Sequence, residues 1–266
     1  MAEGRLDVAM TERGLARSRS HAAKLIADGL VTVDGEGVVK AASKVGDDQL
    51  IEVAVTDRYV SRGAHKLIGA LDAFGVPVRG RVAMDVGAST GGFSQVLLER
   101  DARLVIAIDV GHGQLAPELT REPRLRSFEG VNARTLTAES LAGLLGETTR
   151  PDLVVGDLSF ISLRMVLPAL VETAADGADF VLLVKPQFEV GRTGIREGIV
   201  REPALRADAV ANVLWAAQDL GIGTAGIVSS TIVGSQGNHE YLVWLSATTG
   251  RNPTEWLNEI NAMVGA

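Results

Sequence analysis

The chain has 266 residues, of which 46% are hydrophobic, with a mean hydropathy of +0.18 and a formal net charge of −7. That is enough apolar material for one sizeable core and a small second one. The absence of cysteine excludes disulfides and thiolate zinc sites, and four scattered histidines without ligand spacing predict no metal centre.

The negative charge excludes a generic polyanion binder, so any nucleic acid must be met by a local basic patch. No signal-peptide pattern or apolar run of about 20 residues is present, which predicts a cytoplasmic protein with no membrane partner.

Residues 1–56 read as a small α+β module. Two short amphipathic helices are predicted over 7–16 and 20–28, the second capped by the Ser18 or Ser20 hydroxyl and ended at Gly29. Residues 30–33 and 38–39 then flank Asp34-Gly35 as a hairpin, and 49–53 reads as a further strand. Arg5, Arg13, Arg17, Arg19 and Lys24 cluster in the helical part against only Asp7 and Glu12. Such a face suits phosphate contacts, and equally a solvated helix surface. Residues 57–63 are poor in apolar side chains and read as a linker, so a second domain is expected over 64–266, entered through a helix at 65–74.

From Arg81 the pattern changes to α/β. Apolar strands at 82–86, 104–110, 125–128, 153–158 and 180–184 alternate with helices at 93–100, 138–145 and 163–174, which predicts a parallel sheet. After a helix over 203–220, two runs at 225–233 and 240–247 add an antiparallel pair at one edge, giving seven strands. A last helix follows, with Asn252 as its cap before Pro253.

The first strand runs into Asp85-Val-Gly-Ala-Ser-Thr-Gly-Gly-Phe93, a glycine-rich turn that lets backbone approach a ligand and aims helix N–H groups at it. The spacing does not match the Gly-x-Gly-x-x-Gly of dehydrogenases. Gly87-Ala-Ser89-Thr-Gly91 does match a serine-hydrolase elbow, with Asp157 and His239 following in order, but no earlier strand precedes it to supply an oxyanion hole.

A Rossmann-like S-adenosylmethionine site accounts for more residues. Asp85, Gly87, Ser89, Gly91, Gly92 and Phe93 would form the first strand and turn, and Asp109 stands at the end of the next strand, placed to accept from ribose hydroxyls. Asn132 reads either as an adenine contact or as a turn residue. Asp157 and Lys185 close the fourth and fifth strands with ionisable groups where catalysis is expected, Asp157 beside the cofactor's methyl group.

Two resemblances rest on these residues. Arg5-Leu-Asp7, Gly14-Leu-Ala-Arg-Ser-Arg-Ser20, Ala23-Lys-Leu-Ile-Ala-Asp-Gly29 and Val31-Thr-Val-Asp-Gly35 resemble the RNA-binding module first named in ribosomal protein S-four. The resemblance implies that Arg5, Arg17, Arg19 and Lys24, with Arg62 beyond the module, face structured RNA.

Ser61-Arg-Gly-Ala-His-Lys66, Gly156-Asp-Leu-Ser-Phe160, Lys185-Pro-Gln-Phe-Glu189 and Gly237-Asn-His-Glu240 resemble the FtsJ-type ribose 2′-O-methyltransferases, with Thr90-Gly-Gly-Phe93 where many of those have Pro-Gly-Gly-Trp. The whole chain is similar to the TlyA family of ribosomal RNA cytidine 2′-O-methyltransferases, also labelled haemolysins. This implies a catalytic tetrad of Lys66, Asp157, Lys185 and Glu240, S-adenosylmethionine as cofactor, and 16S and/or 23S ribosomal RNA within ribosomal subunits as partner.

Lys185 would stand nearest the attacking hydroxyl. It would act either as a neutral base or as a charged group stabilising the alkoxide. A non-catalytic RNA-binding or ribosome-assembly factor and a membrane-active protein are the competing functions.

Overall fold

The structure, a computed structural model, describes residues 4–16, 18–27, 30–38, 40–53, 59–191, 194–195, 197–234 and 237–265. It divides into two compact units, Met1–Arg58 and Tyr59–Ala266.

In the first unit, β1 (Gly4–Arg5) leads into α1 (Leu6–Glu12), and α2 (Arg19–Ala27) follows. β2 (Val31–Val33) pairs antiparallel with β3 (Glu36–Gly37) and β5 (Ile51–Val53), while β4 (Lys44–Val45) pairs with β1. Leu6 and Met10, one helical turn apart, bury with Ile26, Val31 and Ile51 to form a small core shared by the helices and the strands. The hairpin turns at Asp34 and Gly35, both at positive φ, as an Asp-Gly pair favours.

Helix α1 stops at Glu12, four residues short of the expected end. Gly14 takes φ +71 and the N–H groups of Leu15 and Ala16 both turn back to the Met10 carbonyl. The cap of α2 is Ser18, whose Oγ accepts from His21 N at 3.2 Å. The expected stop at Gly29 lies outside the described residues.

The second unit is a three-layer α/β/α sandwich. After α3 (Gly63–Phe74) come β6 (Val82–Val86), α4 (Gly92–Glu99), β7 (Leu104–Asp109), β8 (Leu125–Glu129), α5 (Ala138–Leu145), β9 (Leu153–Gly156), α6 (Leu163–Thr173) and β10 (Asp179–Val184). A short α7 (Pro186–Glu189), the long α8 (Pro203–Asp219), β11 (Gly223–Ser229), β12 (Tyr241–Ser246) and α9 (Leu257–Val264) complete it. Asn252 caps a 3-10 turn (Pro253–Trp256) ahead of α9.

Among the described residues the sheet has seven strands in the order β11-β12-β10-β9-β6-β7-β8. β6 to β10 are parallel, and β12 is inserted antiparallel between β10 and β11. Alternate strand residues feed the two faces: Val82, Met84, Val86, Ile106 and Leu182 pack under α6 and α8, and Ala83, Val105, Val155 and Leu183 under α3 and α4. Asp85 shares the face of Ala83 and points beneath α4.

Part of the expected linker belongs to this second unit. Residues 57–58 lie outside the described residues, whereas Val60 is buried in the core with Leu67 and Phe93, and the Tyr59 hydroxyl donates to Glu99 at 2.9 Å. The low apolar content of the segment hid the side chains that anchor it.

At the N-terminal ends of three parallel strands Arg81 acts as a staple. Its Nε lies 3.2 Å from Asp152 Oδ1 and its Nη1 2.6 Å from Asp179 Oδ2, just ahead of β6, β9 and at the start of β10. Trp244 Nε1 donates to the other oxygen of Asp179 at 2.9 Å. Arg81→Ala would leave two carboxylates facing one another in a half-buried setting, and is expected to cost about 2–4 kcal/mol of stability. A lowered urea midpoint at unchanged slope is the expected readout; an unaltered midpoint would show the staple to be dispensable.

Candidate active site

Strand order reverses between β6 and β9, so the chain leaves the C-terminal ends of these neighbours in opposite directions and opens a crevice there. The turn after β6 lines it. Gly87 sits at φ +78, where a Cβ would meet the Asp157 carbonyl at 3.1 Å. A Cβ at Gly92 would collide with the Ser61 hydroxyl, which would have to turn aside, and would press on Ala64 N at 3.3 Å. Between them Ser89 is held at φ +48, and its N–H donates to Asp109 Oδ2 at 2.7 Å. The other Asp109 oxygen accepts from Gly111 N at 2.7 Å, so one carboxylate fixes two loops. Each oxygen keeps a second lone pair for a ligand.

Two cavities meet at this turn. One, of about 300 Å³, is lined by Arg62, Lys66, Asp85, Phe93 and Lys185; the other, of about 560 Å³, by Asp109, Asn132, Phe160 and apolar residues of β7 and α6. Gly87, Ser89, Asp157 and Ser159 line both. Asn132 stands in the larger one, where its Oδ1 caps a 3-10 turn by accepting from Arg134 N. Both readings of that residue therefore fit its position.

Asp85 is fully buried. Ser94 Oγ donates to its Oδ2 at 2.7 Å, while its Oδ1 has no hydrogen-bond partner among the described residues. Desolvation pushes its carboxyl up to about 7, against the lowering effect of Ser94. A glycine cradle, an unpartnered buried acceptor and an acidic residue at the end of β7 form a donor set that fits S-adenosylmethionine.

The four expected tetrad residues converge. Lys185 Nζ lies 2.5 Å from Asp157 Oδ1; Asp157 Oδ2 lies 3.9 Å from Lys66 Nζ; Lys66 Nζ lies 2.5 Å from Glu240 Oε2. Lys66, Lys185 and Glu240 are buried. Sheet register explains the meeting. Val184 pairs with Tyr241, so the next residue along β10 and the one preceding β12, Lys185 and Glu240, stand side by side at the rim. Val86 pairs with Gly156, which sets Asp157 against Gly87. Lys66 enters from the first turn of α3.

Three contributors carried no role in the sequence. Ser159 Oγ accepts from Lys185 Nζ at 2.8 Å. Asn238 Nδ2 donates to the Gly198 carbonyl at 2.8 Å while its Oδ1 accepts from Val200 N at 3.2 Å, holding the loop after α7 to the site. Buried Glu189 accepts from Ser162 Oγ at 2.5 Å and Leu163 N at 2.7 Å, fixing α7 to the start of α6. A polar residue inside a motif looks the same whether it bonds backbone or substrate.

The hydrolase elbow fails on geometry. Ser89 Oγ bonds to Gln114 Oε1 at 3.0 Å, Asp157 is committed to lysines, and His239 is solvent-exposed.

In the first unit, Arg5 bonds both oxygens of Asp7, at 2.9 and 3.0 Å, and Arg19 adds a third contact at 3.3 Å. The two guanidiniums, Arg5 foremost through its hydrogen bonds, hold the Asp7 carboxyl down at about 2. Both arginine side chains stay half or more exposed. Arg13 instead bonds the Gly46 and Gln49 carbonyls at 2.8 Å each, a structural tie. Arg17 and the side chain of Lys24 lie outside the described residues.

Comparison with known proteins places this geometry. Residues 59–247 match the model of the FtsJ-like methyltransferases and residues 4–51 that of the S4 domain. The 16S/23S rRNA (cytidine-2′-O)-methyltransferase TlyA of Mycobacterium tuberculosis is 51% identical over 251 residues, 93% of this chain and 91% of the relative. Hemolysin A of Brachyspira hyodysenteriae is 37% identical, covering 90% and 98%. A solved structure from Streptococcus thermophilus, also labelled a hemolysin, superposes with a TM-score of 0.77 at 37% identity, covering 100% of this chain and 96% of that one. The chain belongs to the TlyA family of FtsJ-like methyltransferases, with an S4 domain ahead of its methyltransferase domain.

Proposed function

We propose that this protein transfers a methyl group from S-adenosylmethionine to the 2′-hydroxyl of a cytidine in ribosomal RNA. The observation that carries the reading is the unbroken chain Lys185–Asp157–Lys66–Glu240 at the meeting point of two cavities. Burying three charges and half-burying a fourth is costly, and well-packed apolar residues would serve stability as well. A plain RNA-binding scaffold has no need of them. Among the described residues no helix is long and apolar enough to cross a bilayer.

When bound, the cofactor supplies a methyl group already activated on a sulfonium, so the protein must orient the acceptor and manage one proton. Gly87, Ser89, Gly91, Gly92 and Phe93 would hold the cofactor with Asp85, Asp109 and Asn132. Lys185, fixed by Asp157 and Ser159, presents Nζ to the ribose 2′-oxygen. Nζ would stabilise the charge that develops on that oxygen as its proton leaves to water, while the oxygen takes the methyl group and the pair of the broken C–S bond stays on sulfur. Lys66 and Glu240 close the pair behind Asp157 and keep its carboxylate in place.

Arg5, Arg17, Arg19 and Lys24 on the S4 domain and Arg62 at the cavity mouth would meet RNA phosphates. A ribosomal RNA substrate accords with action in the cytoplasm.

Lys185→Ala is expected to lower methyl transfer to undermodified ribosomal subunits by about 10²–10³-fold while S-adenosylmethionine affinity, measured by calorimetry, changes little. Transfer at near the normal rate would reject the assigned role.

Asp85 gives a pH-dependent prediction. Its carboxyl, near 7 in the folded chain and about 3.9 when unfolded, binds its proton more tightly in the native state. Its contribution is therefore full below about pH 4 and is lost as pH rises through 7. Asp85→Asn, which retains an acceptor for Ser94, is expected to raise the melting temperature of the cofactor-free protein by several degrees, roughly 4 or more, at pH 8. The gain should shrink steadily toward pH 4, and cofactor binding should weaken. A gain independent of pH would show that ionisation at this site is not the cost.

A further inference from the structure

Beyond Lys185 lies a third cavity, of about 320 Å³, walled by Phe160, Gln187, Phe188 and Asn238 together with Lys185 and Glu240. Two features of its wall are unfavourable for the protein by itself. Phe160 is 92% exposed at φ +65, a conformation that a bulky side chain rarely adopts, with its ring centroid 5.3 Å from that of Phe188. Gln187 Oε1 is buried and has no hydrogen-bond partner among the described residues.

The backbone bearing Gln187 is rigid. Pro186 starts α7, Phe188 N donates to the Lys185 carbonyl at 2.9 Å, and the Glu189 carboxylate is tied to Ser162 and Leu163. Asn238, the other carboxamide of this wall, has both ends engaged by backbone. Beside the paired charges of Lys185 and Glu240, the cavity thus offers two aromatic faces and, in Gln187 Oε1, a buried acceptor without a partner among the described residues. It suits a planar ring that carries an N–H donor at its edge.

We propose that Gln187 Oε1 accepts a hydrogen bond from the exocyclic amino group of the acceptor nucleobase, and so selects cytidine over uridine. The proposal rests on the methyl-transfer reading above and adds the residue that reads the base. Uridine presents a carbonyl at the same edge, which would set acceptor against acceptor. Lys185, two residues earlier in the chain, keeps the ribose of the same nucleotide within reach of the reacting groups.

The test uses the full-length protein with undermodified ribosomal subunits, the methylated position first mapped by primer extension. Subunits carrying cytidine or uridine at that position are then compared. Wild type should favour cytidine by about tenfold or more in kcat/KM. Gln187→Leu should bring the two rates within about threefold of each other by lowering the cytidine rate, with cofactor affinity unchanged. Gln187→Glu, which keeps the acceptor, should retain the preference.

A wild type indifferent to the base would overturn the proposal, as would a Gln187→Leu protein that kept the wild-type ratio; in either case methyl transfer itself would stand. Absence of transfer by wild type to any subunit would overturn both this proposal and the reading beneath it.

Discussion

Four charged side chains meet at the C-terminal rim of the sheet, and they are tolerated there because they alternate in sign. Lys185, Asp157, Lys66 and Glu240 each face an opposite charge, which offsets the desolvation that would otherwise expel them. That requirement ties together distant stretches of chain. α3 must lie against α4 closely enough to deliver Lys66, and the space for this exists because Gly92 has no Cβ to strike Ser61. β12 must run antiparallel beside β10, because in that register Glu240 precedes its strand at the same edge where Lys185 follows its own.

The acidic residues of the crevice are put to three different uses. Asp85, buried beneath α4, is destabilised in its ionised form and keeps one oxygen unpartnered. Asp109 works first on the protein, holding the loops on either side of the turn through Ser89 and Gly111. Asp157 is shared by two ammonium groups. Position at a strand end is common to all three, and the surroundings of each carboxylate set its task. A loop so pinned is preorganised, which limits the entropy lost when a ligand binds.

Much of this was legible in the sequence because strand ends and hydrophobic periodicity are local properties. The parallel strands, the glycine turn, the Ser18 cap as one of two choices, and the carboxylate and lysine at the ends of β9 and β10 all follow from short-range pattern. The insertion of β12 between β10 and β11 does not, since two adjacent antiparallel strands read alike whichever lies outside. Nor does the early end of α1, where Arg13 looks like another basic surface residue but bonds two carbonyls more than 30 positions away in the chain. Val60 was lost in a polar stretch for the same reason. Ser159, Glu189 and Asn238 act through partners that only the folded chain brings near, and no spacing rule announces them.

Asp157 gives the site its logic. It lines both cavities of the crevice, its carbonyl closes over Gly87, and its carboxylate holds the lysine that also faces the third cavity. A residue shared in this way cannot shift for one ligand without moving the wall seen by the other. Glu189 resists such a shift from behind, because α7, which starts immediately after Lys185, is anchored to α6 by a buried carboxylate that accepts two hydrogen bonds. The lysine is therefore fixed from two sides, by its charge partner in front and by its own backbone. Methyl transfer depends on the reacting atoms being held within tenths of an ångström, and a rim built this way spends its electrostatics on position rather than on fold.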